Sequence, residues 1–354
     1  MVSVTPGVCF EVSNLKAKAW GFITDVLMLD TAKYNVSVKV LPAPTQLGAP
    51  PQWVHVDYTF RAENSDLLVS FLFKNGCLAI CNVYLDKGSP IFRSEMPENL
   101  LERAKTILER YEKYCGEEHI KSMREMLFSV KKLQNHTSIR GNMKFSISIE
   151  PLKYAPSNIT RIEWVYVENG IEFRQKNVEI KFSNRKIHLT DQWKIYRVGS
   201  AKLKVSKEDA VRIAKEACKN FTYTVAMGNG SKMVVGNFTI LDEPLSVSLA
   251  TDYRGNDYYT LYPFWQVFLC LDKVYPGGIT GLRVNIWADT GEVIGICPTG
   301  SLAPPPTQNS QEETVDNTPQ QTYITHTAAL AIILAAATAT TIILKKKHKN
   351  QHRH

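Results

Sequence analysis

The same order of segments occurs three times along this chain: an amphipathic helical stretch, then about four short runs of alternating polarity. The first helix is predicted over 14–30, with Leu15, Ala19, Ile23, Val26 and Leu27 on one face. Its strands are predicted at 34–40, 53–61, 67–74 and 77–85. The last two are joined by Asn75-Gly76, a pair that accepts the positive φ angles of a two-residue hairpin. A second helix opens near Pro97 and aligns Leu101, Ala104, Ile107, Leu108 and Tyr111, with a further helical stretch over 117–133. Strands follow at 143–150, 160–168, 178–183 and 186–198. The third helix starts at Ser206 with Asp209 in capping-box spacing, before strands at 233–240, 264–271, 282–288 and 292–297.

Short turns between consecutive strands imply antiparallel pairing, and period-two alternation leaves one apolar sheet face for a helix to cover. The expected fold class is therefore α+β, as three tandem αββββ units at 1–94, 95–199 and 200–299.

Beyond these units the composition changes. Residues 300–326 include Pro304-Pro305-Pro306 and are otherwise mostly polar, which predicts an extended stalk. Residues 327–344 carry no charge, Gly or Pro, and eighteen residues of helix span roughly 27 Å, enough for a hydrocarbon core. Lys345, Lys346, Lys347, Lys349 and Arg353 follow, a cluster that predicts a cytoplasmic tail over 345–354. The expectation is a single-pass membrane protein at the cell surface with an exterior body. Those five charges also account for most of the formal net charge of +8, so the high pI is no sign of nucleic-acid binding. Met1 to Phe10 has neither a basic nor an apolar leader region, which implies a start upstream of Met1 or a tail-anchored protein. Asn35, Asn135, Asn158, Asn220, Asn229 and Asn237 each open an N-x-[ST] sequon, and these candidate N-glycosylation sites favour the exterior body.

Within the third unit, V-S-K-E-D-A-V-R-I-A-K-E-A from Val205, W-Q-V at Trp265 and A-D-T-G-E-V from Ala288 resemble a PepSY-type repeat. The resemblance implies a helix packed on a small antiparallel sheet, in secreted or membrane-bound bacterial and archaeal proteins. It further implies an association with propeptides and with binding or inhibition of peptidases, and it brings no catalytic residues.

The residues themselves supply no recognisable active site. None of the seven cysteines falls in a C-x-x-C metal spacing, and the histidines are scattered. Cys115 and His119 share a helix face at i, i+4, but no third orienting group is visible. No glycine loop for phosphate is present, so no metal, cofactor or catalytic residue is expected. The aromatic run Tyr253, Tyr258, Tyr259, Tyr262 and Trp265 is the candidate binding surface, because Tyr and Trp combine contact area with a polar handle. The expected function is non-enzymatic: a membrane-anchored exterior protein that binds a peptide or protein partner and modulates a peptidase. A surface hydrolase with an unrecognised site and a structural envelope protein are the other readings. Oligomeric state is left open.

Overall fold

A computed structural model of the chain describes residues 12–42, 53–151, 158–228 and 230–300. The first helix, α1 (Val12–Gly21), ends early in a five-residue π-turn, Phe22–Val26, and Met28 takes a φ of 57°. Four strands follow: β1 (Asn35–Pro42), β2 (Trp53–Ala62), β3 (Ser65–Lys74) and β4 (Cys77–Gly88). Asn75 and Gly76 have φ of 49° and 71°, and the hairpin they make pairs Lys74 with Cys77.

Two helices come next, α2 (Leu100–Cys115) and α3 (Glu118–Phe128). The Asn99 side chain accepts from the Leu101 and Glu102 amides, and Gly116 at φ 68° closes the far end of α2. Five strands follow: β5 (His136–Arg140), β6 (Met143–Pro151), β7 (Asn158–Glu168), β8 (Ile171–Ser183) and β9 (Lys186–Asp191).

These two sets of strands do not form separate units. They make one nine-stranded antiparallel sheet in the order β1-β2-β3-β4-β9-β8-β7-β6-β5. The join is the pairing of β4 with β9, from Ile80 opposite Thr190 to Tyr84 opposite Lys186. All the helices of this part share one face and one core, with Leu15, Phe22, Ile107, Leu108 and Met123 packed with Phe60, Phe71, Phe145, Trp164 and Ile180. The expected three αββββ units are thus corrected. The described residues are 54% strand and 21% helix, and two of the three supposed units are halves of one mostly β body. The physical reason is that β4 and β9 are each the last strand of a meander, and two unpaired edges bond to each other rather than to water.

The third part begins with the two-residue β10 (Arg197–Val198) and α4 (Lys207–Cys218), which Ser206 caps by accepting from the Asp209 amide at 3.0 Å. A hairpin of β11 (Tyr223–Ala226) and β12 (Lys232–Val235) precedes β13 (Ile240–Arg254), β14 (Asp257–Tyr275), β15 (Ile279–Trp287) and β16 (Val293–Gly300). The last four run antiparallel, and β10 adds in parallel to β14. Ala210 and Ala214 of α4 pack on Val267, Leu269, Val284 and Ile286. A small third cluster, Ile171, Phe173, Tyr196, Ala201 and Leu261, joins this sheet to the first. Lys74, buried in that junction, donates to Gln192 Oε1 at 2.8 Å and to Tyr196 Oη at 3.2 Å, 4.4 Å from the Trp53 ring. Burial pushes its amine down to about 8.

Among the described residues no helix is long and apolar enough to cross a membrane. The longest, α2, has 16 residues and reaches only about 24 Å, and its outer face carries Glu and Lys. The apolar run 327–344, the stalk and the basic tail lie outside the described residues. The single-pass, cell-surface assignment has no span in the structure to rest on and is not carried further, nor are the extracellular and glycoprotein labels that came with it.

Candidate functional site

Each sheet leaves strands at its rim, and a rim strand presents unpaired N–H and C=O groups that native proteins usually guard. Among the described residues, three of the four outer strands of the two larger sheets are guarded. β5 is only five residues long, and its terminal Arg140 is held by Glu125 of α3 at 3.0 Å. β13 carries Pro244 and register shifts on both sides of it. β16 contains Pro298 and pairs with β15 through two register shifts.

β1 is neither short nor bulged, and what guards it is one exposed lysine, Lys39, and a terminal proline. It pairs with β2 over eight residues without a register shift, and no strand bonds to its outer edge among the described residues. Its sequence N-V-S-V-K-V-L-P alternates β-branched residues with polar ones, and its one proline is the final residue. Val36 and Val40 pack against the helix-side core, while Val38 between them is 42% exposed. Ser37 and Lys39 point to the opposite face and are exposed.

The aromatic run predicted as a binding surface is dispersed by its own strand. Tyr253 and Tyr258 pack together at the β13–β14 hairpin, with ring centroids 4.9 Å apart. Tyr259 turns to the junction, where its hydroxyl accepts from Trp53 Nε1 at 3.3 Å. Tyr262 packs onto Gly199, where an added Cβ would meet its ring at 2.3 Å, and Arg254 sits 4.3 Å from its centroid. Trp265 donates Nε1 to the Val205 carbonyl at 2.9 Å and belongs to the α4 core. Alternation sends neighbours to opposite faces, so these side chains form no single surface.

Of the sequon residues, Asn35, Asn135, Asn158, Asn220 and Asn237 are exposed, and Asn229 lies outside the described residues. Asn35 is the first residue of β1. The thiols of Cys77, Cys81, Cys115, Cys218, Cys270 and Cys297 are free, and Cys9 lies outside the described residues.

The structure also supplies what the Cys115–His119 pair lacked in the sequence. Asp191, at the end of β9, places Oδ2 at 3.7 Å from His119 Nε2 and accepts the Tyr111 hydroxyl on the same oxygen at 2.8 Å. His119 stacks on Trp193, with centroids 5.9 Å apart and planes within 7°. The thiol beside this constellation is shifted away from the thiolate form. Burial pushes the Cys115 thiol up to about 11, and Asp191 and Glu117 push the same way against two backbone hydrogen bonds. No cluster of three or more His, Cys, Asp or Glu residues suited to a metal occurs among the described residues.

A second polar group lies on the sheet face away from the helices. His188 Nδ1 is 2.7 Å from Asn82 Oδ1 and its Nε2 is 2.7 Å from the Thr190 hydroxyl, a pattern met by a neutral ring with the proton on Nδ1. Glu179 Oε1 stands 3.5 Å from Nε2, but Arg161 and Lys181 already flank that carboxylate. Burial, with Lys181, Lys186 and Arg161, brings the imidazole down to about 3. Both ring nitrogens are occupied, so His188 bolts β4 to β9 rather than presenting a base.

Comparison with family models, curated proteins and solved structures finds no match, so the PepSY resemblance rests on its residues alone.

Proposed function

We propose that this chain is a non-enzymatic binding module that takes an extended segment of a peptide or protein onto β1 by strand addition. The observation that carries the reading is the regular rim: eight residues, no bulge, and a free outer edge among the described residues. Main-chain hydrogen bonds give affinity in such complexes, and pockets beside alternate side chains give selectivity. The PepSY-like residues of 200–299 suggest a partner of the same kind, a peptidase or its propeptide, although the rim belongs to the other sheet.

Alternate residues of an edge strand point their N–H outward, so a proline scan across Ser37 and Val38 tests the reading. One of Ser37→Pro and Val38→Pro removes an outward donor while leaving the β1–β2 ladder intact. That variant keeps the wild-type unfolding midpoint and loses binding of extended peptides at least tenfold by fluorescence anisotropy. Undiminished binding in both proline variants would rule out β1 as the site.

A further inference from the structure

The contact between the two larger sheets is thin. Its buried cluster has five residues, Ile171, Phe173, Tyr196, Ala201 and Leu261, and beside it Gln175 and Thr251 exchange hydrogen bonds. Lys74 is built into this contact at 6% exposure, donating to Gln192 Oε1 and the Tyr196 hydroxyl and lying over the Trp53 ring. Trp53 on β2 and Cys77 on β4 flank it in the ladder. Tyr259 of β14 completes the enclosure from the second sheet, bonded to Trp53 and with its ring 6.1 Å from that of Tyr196. None of these groups is a carboxylate. The charged neighbours further out are two cations, Lys18 at the Gly76 carbonyl and Lys176 at the Tyr196 carbonyl, and Asp252 of β13, which acts on the Tyr196 hydroxyl. Among the described residues, no ion pair answers the Lys74 ammonium.

A buried ammonium without an anion opposes the closed contact, because neutral oxygens and rings return only part of its hydration; a neutral amine carries no such cost. Local opening also falls where few apolar side chains are buried, and this contact has the smallest core of the three. We propose that Lys74 is a proton-operated latch on the contact: in its charged form the two sheets part readily, and in its neutral form they stay closed. Parting uncovers Trp53, Tyr196 and Tyr259, whose rings now face Lys74 or one another. The sign follows from linkage. Burial brings the amine to about 8 from an ordinary 10.5, so the closed form binds fewer protons than the open one between those values. Closure is most favoured above about pH 10.5, weakens as pH falls to about 8, and changes little below that.

The test places a reporter thiol in the contact by Ala201→Cys, at a position 7% exposed, in the full chain with Cys77→Ser so that the thiol beside Lys74 takes no part. Alkylation by iodoacetamide is followed peptide by peptide by mass spectrometry, and the exposed Cys297 of the same molecule is the reference for reagent and thiolate fraction. The ratio of the reporter's rate to that of Cys297 is expected to fall about tenfold between roughly pH 8 and 9.5. Adding Lys74→Met, which takes up no proton, should abolish that fall. Adding Lys74→Arg, charged throughout, should keep the ratio high at every pH. A ratio in the parent chain that stays level or rises with pH overturns the latch, and so does the same fall persisting in Lys74→Met. Where Lys74→Met fails to fold, Lys74→Arg decides: a level ratio supports the latch, and a fall equal to the parent's overturns it.

Discussion

The two halves of the nine-stranded sheet follow one plan and finish it differently. The half ending at β5 lies under α2 and α3, and its rim is short and tied by Arg140 to Glu125. The half ending at β1 lies under the ten-residue α1 and its π-turn, and its rim is long, regular and unpaired among the described residues. Both halves pair antiparallel throughout. What differs is the protection of the edge; under the strand-addition proposal the β1 side is the working side and the β5 side its support.

This contrast can be broken from either half, and the largest effect lies in the support. Trp164 is fully buried against Phe145, and Trp164→Ala is expected to cost about 3–5 kcal/mol in urea unfolding. Val38→Thr on the open rim should change stability by less than about 0.5 kcal/mol. Comparable costs at both positions would show that the rim is structural.

The join between the halves should be sensitive to acid. His188 titrates near 3 in the fold and near its ordinary value of about 6.5 when unfolded, so protonation favours the unfolded chain. Its contribution is complete above about pH 6.5 and is lost as pH falls toward 3, at up to about 1.4 kcal/mol per unit. His188→Gln should flatten that part of the stability profile measured by denaturant midpoints; an unchanged slope would assign the acid sensitivity elsewhere.

Smaller effects sharpen the picture. Asn99→Ala removes the acceptor for two amides of α2 and should cost about 1 kcal/mol, visible as a lower Tm. Breaking the Arg140–Glu125 pair by Arg140→Ala should cost only about 0.2–1 kcal/mol, because both groups are exposed. Its more telling readout is self-association: if that pair guards β5, sedimentation should show the variant associating more than wild type.

Much of the local structure was legible. Asn75-Gly76 makes the expected hairpin, Ser206 caps α4, and the face Leu101, Ala104, Ile107, Leu108 and Tyr111 of α2 is buried throughout. Other elements carry fainter sequence signals. The strand expected at 233–240 is β12 followed by a break, and β13 begins at Ile240 and runs to Arg254. β13 mixes Asp, Glu, Pro and Ser with apolar residues, so its alternation is faint. The aromatic run was visible as composition, but its use was not, since Tyr259 and Trp265 are claimed by partners at Trp53 and Val205.

Turns, caps and helix faces follow from residues within a few positions of one another, and those the chain determined unaided. Which strand lies beside which is a different kind of fact. Alternation specifies the face a side chain takes and says nothing of the neighbour across the ladder. The pairing of β4 with β9, the approach of Asp191 to His119, and the open edge of β1 among the described residues each depend on where distant edges come to rest, and only the assembled sheet settles them.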